Sequence, residues 1–115
     1  MSGGRSRVTT HVLDAVSGRP AAGVRVVLER LGEGAWERVG RGQTDDDGRV
    51  GELGPAELEP GTYRVVFAVE EYFAGSGTPT FYPEVVIVFT PDDPAAHYHV
   101  PLLLSPYAYS TYRGS

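Results

Sequence analysis

Three histidines, at positions 11, 97 and 99, are the side chains of this sequence best suited to proton transfer near neutral pH. Each stands in a segment where apolar and polar residues alternate, and each falls on the polar side of that alternation. Outward histidines of this kind are either solvated surface residues or, where a partner covers the face, acids and bases of a catalytic groove. Leu103 shares the outward face of His97 and His99, which favours a covered face.

A zinc site is an alternative use of the same residues. His97 and His99 are two positions apart, so a strand would present both imidazoles on one face, with His11 as a third ligand. An H-x-H pair alone is weak support for a metal site, and the sequence predicts neither a metal nor a cofactor. The acidic turn Asp45–Gly48 resembles a calcium loop, but the flanking ligand pattern of such a loop is missing.

Arg49 and the C-terminal tail are two further candidates, and each has two interpretations. Arg49 follows the acidic turn, where it could form a surface ion pair or hold a carbonyl or anionic group of a substrate. The tail, residues 110–115, could fray in solvent. Alternatively, the carboxylate of Ser115 and the neighbouring Arg113 could fix it in a groove.

The elements that position these residues are predicted to be strands. Seven or eight short strands, turned at intervals of about ten residues, indicate an all-β sandwich of two sheets, with one short helix at residues 69–74. Val85–Phe89 is apolar on both faces and is predicted to be covered on both sides. The predicted core consists of inward-facing apolar residues: Val24, Val26, Leu28, Tyr63, Val65, Phe67, Val100 and Leu102.

The composition predicts one globular domain at residues 8–115 after a flexible N-terminus at residues 1–7. Because there is no cysteine, and no signal peptide is recognisable, we expect a cytoplasmic protein. No apolar stretch is long enough to span a bilayer. The net charge of −5 and the scattered arginines argue against nucleic acid or a membrane as partner.

Several segments together carry a resemblance to a known family. The chain resembles the transthyretin-related 5-hydroxyisourate hydrolases over residues 8–115, and the closing tetrapeptide Tyr112–Ser115 is the most specific element. The matching segments are Thr10-His11-Val12-Leu13-Asp14, Ser17-Gly18-Arg19-Pro20-Ala21, Thr44-Asp45-Asp46-Asp47-Gly48-Arg49, His97-Tyr98-His99-Val100-Pro101-Leu102-Leu103 and Tyr112-Arg113-Gly114-Ser115.

The resemblance implies a transthyretin-like (prealbumin-like) sandwich that forms a homotetramer, a dimer of dimers, with its sites in the channel where dimers meet. It implies hydrolysis of 5-hydroxyisourate to 2-oxo-4-hydroxy-4-carboxy-5-ureidoimidazoline in urate catabolism, without a cofactor. It implies no catalytic role for His97. The implied catalytic residues are His11, Arg49, His99 and Ser115, and the implied substrate-binding residues are His11, Arg49, Tyr112, Arg113 and Gly114.

The chemistry of that reaction fits these residue types. Opening a cyclic amide requires that water lose a proton, that an oxyanion be stabilised and that a ring nitrogen gain a proton. Two imidazoles can supply the base and the acid, and Arg49 can hold the substrate oxygens; which histidine is the base is left open. The alternative is a non-catalytic carrier of transthyretin type that binds small aromatic molecules. Transthyretin itself lacks the closing tetrapeptide and the histidine–arginine set.

Overall fold

The alternation of apolar and polar residues produces strands because successive side chains of a strand point to opposite faces. The computed structural model describes residues 7–115. In that range the backbone forms nine strands and one short helix: β1 (Val8–Asp14), β2 (Arg19–Pro20), β3 (Arg25–Leu31), β4 (Trp36–Gln43), β5 (Arg49–Val50), β6 (Tyr63–Phe67), α1 (Val69–Ala74), β7 (Val85–Phe89), β8 (Tyr98–Leu104) and β9 (Tyr109–Thr111).

These strands form two sheets. Sheet I has the order β2-β1-β8-β9, and β5 also pairs with β1; sheet II has the order β4-β3-β6-β7. Within the described range, β1 and β8 run parallel and all other pairs are antiparallel. The first and the last long strands of the fold are therefore neighbours at the centre of sheet I.

The core lies between the two sheets. All eight residues of the predicted core are buried there, together with the inward side of β1 and helix residues Val69 and Phe73. The prediction of an all-β, two-sheet sandwich with a short helix at residues 69–74 is confirmed. No helix within residues 7–115 is long and apolar enough to cross a membrane.

Two strand predictions need comment. The alternation of the sequence also predicts a last short strand over residues 107–112, and the structure forms it only over Tyr109–Thr111. Strand β7 is present where it was predicted, but in a single chain its outer face is open, because Val88 is 57% exposed. Covering that face would require a partner.

The predicted flexible N-terminus, residues 1–7, lies outside the described residues except for Arg7. The backbone N–H of Arg7 donates to the carbonyl of Pro55 at 3.1 Å, and its side chain donates to the carbonyl of Ala56 at 2.8 Å. The carbonyl of Arg7 accepts the N–H of Tyr98 at 2.6 Å, so Arg7 continues the β1–β8 pairing by one residue.

The acidic turn before β5 requires glycine. Gly48 has a φ of +76°, as the turn pattern predicts, and an added Cβ would lie 2.4 Å from the carbonyl oxygen of Val12. The carbonyl of Gly48 accepts the N–H of Val12 at 2.7 Å. This close approach holds the turn against β1 and delivers the next residue, Arg49, to the outer face of sheet I.

Candidate active site

The pairing of three strands gathers the candidate residues on the outer face of sheet I. In the parallel β1–β8 pair, Thr9 lies opposite His99. In the antiparallel β1–β5 pair, His11 lies opposite Arg49. Residues i and i+2 of a strand share a face, so Thr9 and His11 on β1 point the same way as His99 on β8. Residues far apart in the sequence thus meet on one surface.

A hollow of about 260 Å³ opens on this surface. We call it the histidine cavity. His11 stands beside Arg49 at its margin rather than in its wall. The residues that line the histidine cavity are Thr9, Thr10, Arg49, Val50, Gly51, His97, His99 and Ser115.

The ring of His99 is held on two edges. The hydroxyl of Thr9 lies 2.8 Å from Nδ1 of His99, and the same hydroxyl lies 3.1 Å from Nε2 of His97. On the opposite edge, Gly114 packs so closely that an added Cβ would lie 2.5 Å from Cδ2 of His99. Among residues 7–115 nothing is hydrogen-bonded to Nε2 of His99, which leaves this nitrogen as the one available for chemistry.

The surroundings of His99 keep its ring neutral. Burial of the half-exposed ring lowers the pKa of His99 below its ordinary value, and the positive charges of Arg49, His97 and His11 lower it further. A neutral imidazole has one nitrogen that can accept a proton and one that can donate it. His99 is therefore ready for proton transfer in either direction at neutral pH.

Arg49 is anchored through its backbone and leaves its guanidinium free. Its N–H donates to the Asp45 carboxylate at 3.0 Å, and this hydrogen bond holds the pKa of Asp45 below its usual value. Among the described residues the guanidinium forms no ion pair with Asp45 or any other acid. Of the two interpretations of Arg49, this geometry favours the one in which it meets a substrate oxygen.

The C-terminal tail follows β8 back towards the cavity. The hydroxyl of Thr111 donates to the carbonyl of Pro101 at 2.7 Å, and the N–H of Gly114 donates to the carbonyl of His99 at 2.9 Å. These bonds make the tail an ordered edge of sheet I. Of the tail residues, Ser115 lines the histidine cavity, and Gly114 packs against the Cδ2 edge of the His99 ring.

Tyr112 and Arg113 lie elsewhere in the single chain. Tyr112 is 60% exposed, and the guanidinium of Arg113 lies over the ring of Tyr98, 5.0 Å from its centroid. Both line a second hollow of about 240 Å³, whose wall also includes Phe89 and His99. The substrate-binding role assigned to Tyr112 and Arg113 stays a prediction.

The zinc alternative gains no support from the side chains. In the part of the chain that the structure describes, no three histidine or acidic residues are close enough together to hold a metal ion. His97 and His99 meet through Thr9, with His97 exposed at the rim of the histidine cavity.

Thr9 is a site residue that the sequence reasoning did not single out. It occupies the outward face of β1, two residues before His11, and that spacing was the available signal. The signal was incomplete, because the contact with His97 and His99 depends on the parallel register of β1 and β8.

A family model described as HIUase/Transthyretin family matches residues 8–114 of the chain. The chain belongs to this family. The resemblance seen in the sequence is thereby confirmed, and the match takes in the histidine cavity apart from Ser115.

The relatives within the HIUase/transthyretin family include 5-hydroxyisourate hydrolases and a transthyretin. The 5-hydroxyisourate hydrolase of Salmonella dublin is 45% identical over 116 residues, an alignment that spans 100% of this chain and 85% of that protein. The solved structure of Klebsiella pneumoniae 5-hydroxyisourate hydrolase superposes with a TM-score of 0.84 at 35% identity, covering 94% of this chain and 98% of the other. Transthyretin from Sparus aurata superposes with a TM-score of 0.87 at 31% identity, covering 96% and 97%. The transthyretin-like sandwich predicted from the sequence is confirmed.

Proposed function

We propose that this protein hydrolyses 5-hydroxyisourate to 2-oxo-4-hydroxy-4-carboxy-5-ureidoimidazoline, a step of urate catabolism. The observation that carries the proposal is the histidine cavity, where a half-buried imidazole with a lowered pKa, an arginine without an ion pair among the described residues, and Ser115 meet. The 45% sequence identity to the Salmonella dublin 5-hydroxyisourate hydrolase, in an alignment that spans 100% of this chain, supports the same conclusion.

The cavity provides what the ring opening requires. Attack of water on a cyclic amide carbonyl places negative charge on the oxygen, and the guanidinium of Arg49 can stabilise this charge because no acid of residues 7–115 forms an ion pair with it. His99 lines the cavity and has no partner on its Nε2 among residues 7–115, and His11 stands beside Arg49. The two imidazoles supply the proton acceptor for water and the proton donor for the leaving ring nitrogen.

A passive carrier is the competing function, and the fold does not decide between the two. The superpositions on the Klebsiella hydrolase and on the Sparus transthyretin are equally close, at TM-scores of 0.84 and 0.87. The site does discriminate. A pocket that only binds a ligand does not need an unpaired arginine beside a histidine whose pKa is lowered, whereas a hydrolytic site needs both.

We further propose that the protein assembles as a homotetramer, a dimer of dimers. β7 and β9 each lie at one edge of their sheet, so each has one side without a partner strand among residues 7–115. Large apolar side chains are exposed on or near these edges, as is typical of an association surface. They are Phe81, Val88, Tyr107, Tyr109 and Tyr112.

Light scattering at micromolar concentration tests the assembly. The expected result is a mass close to four times the 12.4 kDa of one chain. A monomer mass would contradict the tetramer and, with it, a site at an interface between dimers.

We also propose a cytoplasmic location, because the chain has no cysteine to stabilise it in an oxidising compartment. Cell fractionation tests this location.

The activity itself is tested on substrate made in place by urate oxidase. Decay of the near-ultraviolet absorbance of 5-hydroxyisourate is followed with the protein, without it, and with a His99→Asn variant. We expect the wild-type protein to accelerate the decay and the variant to be close to the uncatalysed rate. If the wild-type rate equals the buffer rate, the hydrolase proposal fails; tight binding of an aromatic ligand in its place would then favour the carrier.

A further inference from the structure

We propose that Thr9 is a positioning residue that couples the protonation of His99 to that of His97 and connects His99 with solvent. Nothing in the family resemblance gives Thr9 a role, and His97 was left without one. The proposal rests on the hydrolase function for its kinetic consequence, but its structural part can be tested without any substrate.

The starting point is the shared hydroxyl. Oγ1 of Thr9 lies 2.8 Å from Nδ1 of His99 and 3.1 Å from Nε2 of His97, both within hydrogen-bond distance. A hydroxyl has one proton to donate and lone pairs to accept with. Among residues 7–115 these two ring nitrogens are the only hydrogen-bond partners of the hydroxyl, so its proton goes to one ring and it accepts from the other. One of the two facing nitrogens must therefore be protonated and the other must be bare.

For two neutral rings this leaves two arrangements. In the first, Thr9 donates to bare Nδ1 of His99 and accepts from Nε2–H of His97, so both rings carry their proton on Nε2. In the second, Nδ1–H of His99 donates to Thr9, which donates to bare Nε2 of His97, so both rings carry their proton on Nδ1. The two histidines therefore change tautomer together.

This coupling matters because His99 is held neutral by its surroundings. The state of its Nε2 decides what it can do in the histidine cavity: Nε2–H is an acid, and bare Nε2 is a base. His97 is exposed, so its Nδ1 can exchange protons with water. The charged groups around the pair are Arg49 on β5 and His11 on β1, and both disfavour a second proton on His99.

The proton path balances in both directions. When His99 gives its Nε2 proton to the substrate, its Nδ1 takes the hydroxyl proton of Thr9. Thr9 then takes the Nε2 proton of His97, and Nδ1 of His97 takes a proton from water. The first arrangement becomes the second, and one proton has passed from solvent to substrate. Uptake of a proton from the attacking water at Nε2 of His99 reverses each transfer and restores the first arrangement.

The tight packing of Gly114 keeps the path aligned. An added Cβ on Gly114 would lie 2.5 Å from Cδ2 of His99, so the tail backbone packs against this edge of the ring. The N–H of Gly114 also donates to the carbonyl of His99 at 2.9 Å. The ring is therefore held with Nδ1 towards Thr9, and its Nε2 has no hydrogen-bond partner among residues 7–115.

Three variants test the proposal, with Thr62→Val as a matched control. Thr9→Val keeps the shape and removes the hydroxyl, and Thr9→Ser keeps the hydroxyl. His97→Leu removes the outer end of the path at an exposed position. Thr62 makes its hydroxyl contact with Thr90 at 3.5 Å, and neither residue lines the histidine cavity.

We expect Thr9→Val to lower kcat by about tenfold or more with little change in KM, because the substrate contacts remain and the proton supply is lost. Thr9→Ser should restore most of kcat, and Thr62→Val should match the wild type. His97→Leu should lower kcat to a similar extent, and the double variant should be no slower than Thr9→Val alone, because both act on one path.

Nitrogen-15 spectra of the histidine rings provide the second readout. At a pH where both rings are neutral, we expect His97 and His99 to show the same tautomer in the wild type, and this agreement to be lost in Thr9→Val. Different tautomers in the wild-type protein would overturn the proposal, as would wild-type kcat in Thr9→Val. Circular dichroism confirms that each variant is folded. If the wild type does not hydrolyse 5-hydroxyisourate at all, the function fails, and the spectra still decide the coupling.

Discussion

Arg64 on the outer face of sheet II and Arg49 on the outer face of sheet I differ in their partners. On sheet II, the Arg64 side chain donates to the Glu29 carboxylate at 2.6 Å and lies over the Trp36 ring, 4.3 Å from its centroid. On the same face, Arg25 donates two hydrogen bonds to Glu71 of the helix. On sheet I, Arg49 has no acidic partner among the described residues, and the histidines share a hydroxyl.

The comparison separates charges that are satisfied within the fold from charges that are left for a ligand. Paired surface charges contribute little to stability but have no capacity left for a substrate. An unpaired guanidinium beside a neutral histidine is poised to bind a developing negative charge. The difference lies in the partners, and the sequence alternation is the same on both faces.

The largest effects are expected where sheet I loses one of its unpaired groups. His11→Asn, Arg49→Ala and His99→Asn should each lower turnover of 5-hydroxyisourate by about 10²-fold or more, because proton transfer or oxyanion stabilisation is lost. Thermal unfolding should stay close to wild type, since these side chains lie outside the core. A variant with near-normal turnover would show that its residue lies outside the site.

A smaller loss is expected from Gly114→Ala. The new Cβ would meet the His99 ring at 2.5 Å and must displace either the ring or the tail. A displacement of this kind should lower turnover on the order of tenfold, with little change in the midpoint of thermal unfolding. The same measurements on a chain without residues 112–115 show whether the whole tail matters. Full activity in both proteins would show that the tail is a surface segment that does not contribute to turnover.

The pH dependence gives a further test of the site. Because the pKa of His99 is lowered, its ring stays neutral as the pH falls past the ordinary histidine pKa of about 6.5. Activity should therefore decline only at a pH below that ordinary value. In the unfolded chain the ring binds its proton near the ordinary pKa. The contribution of His99 to the free energy of unfolding is therefore complete above that value and decreases as the pH falls towards the folded pKa.

Titration of the His99 ring signal by NMR measures this shift directly. In Arg49→Ala the pKa of His99 should move up towards the ordinary value, because one of the positive charges that lower it has been removed. An unchanged titration curve would mean that the charge of Arg49 does not contribute to the lowered pKa of His99.

The smallest effect is expected on sheet II. Arg64→Ala should leave turnover unchanged and lower the free energy of unfolding by about 1 kcal/mol or less, because the ion pair with Glu29 is partly exposed. Denaturant unfolding and the absorbance assay measure the two quantities. A loss of activity similar to that of Arg49→Ala would remove the distinction between the two faces.

The sequence predicted which face each residue occupies better than which residues meet. Period-two alternation placed Val26 and Val65 in the core and His11 and His99 outside it, and the structure agrees. These assignments depend on neighbours along the chain, so they can be derived locally.

Contacts between distant strands could not be derived in the same way. The parallel pairing of β1 with β8 brings Thr9 to His99, and no local pattern encodes that register. For the same reason the freedom of the Arg49 guanidinium could not be read from a sequence in which three aspartates precede it. The roles of Tyr112 and Arg113 came from the family resemblance, and in the single chain both residues lie at the second hollow.

The parallel pairing of β1 with β8 also determines when the site can exist during folding. The hydroxyl of Thr9 and the ring of His99 are 90 residues apart in the sequence, so a very large loop must close before they touch. Contacts of this range form slowly, typically over milliseconds to seconds in β-sandwiches. A chain that has formed only its local hairpins, such as β3–β4, has no histidine cavity. Catalytic competence therefore requires the closure of sheet I, and regain of activity after dilution from denaturant should not precede it.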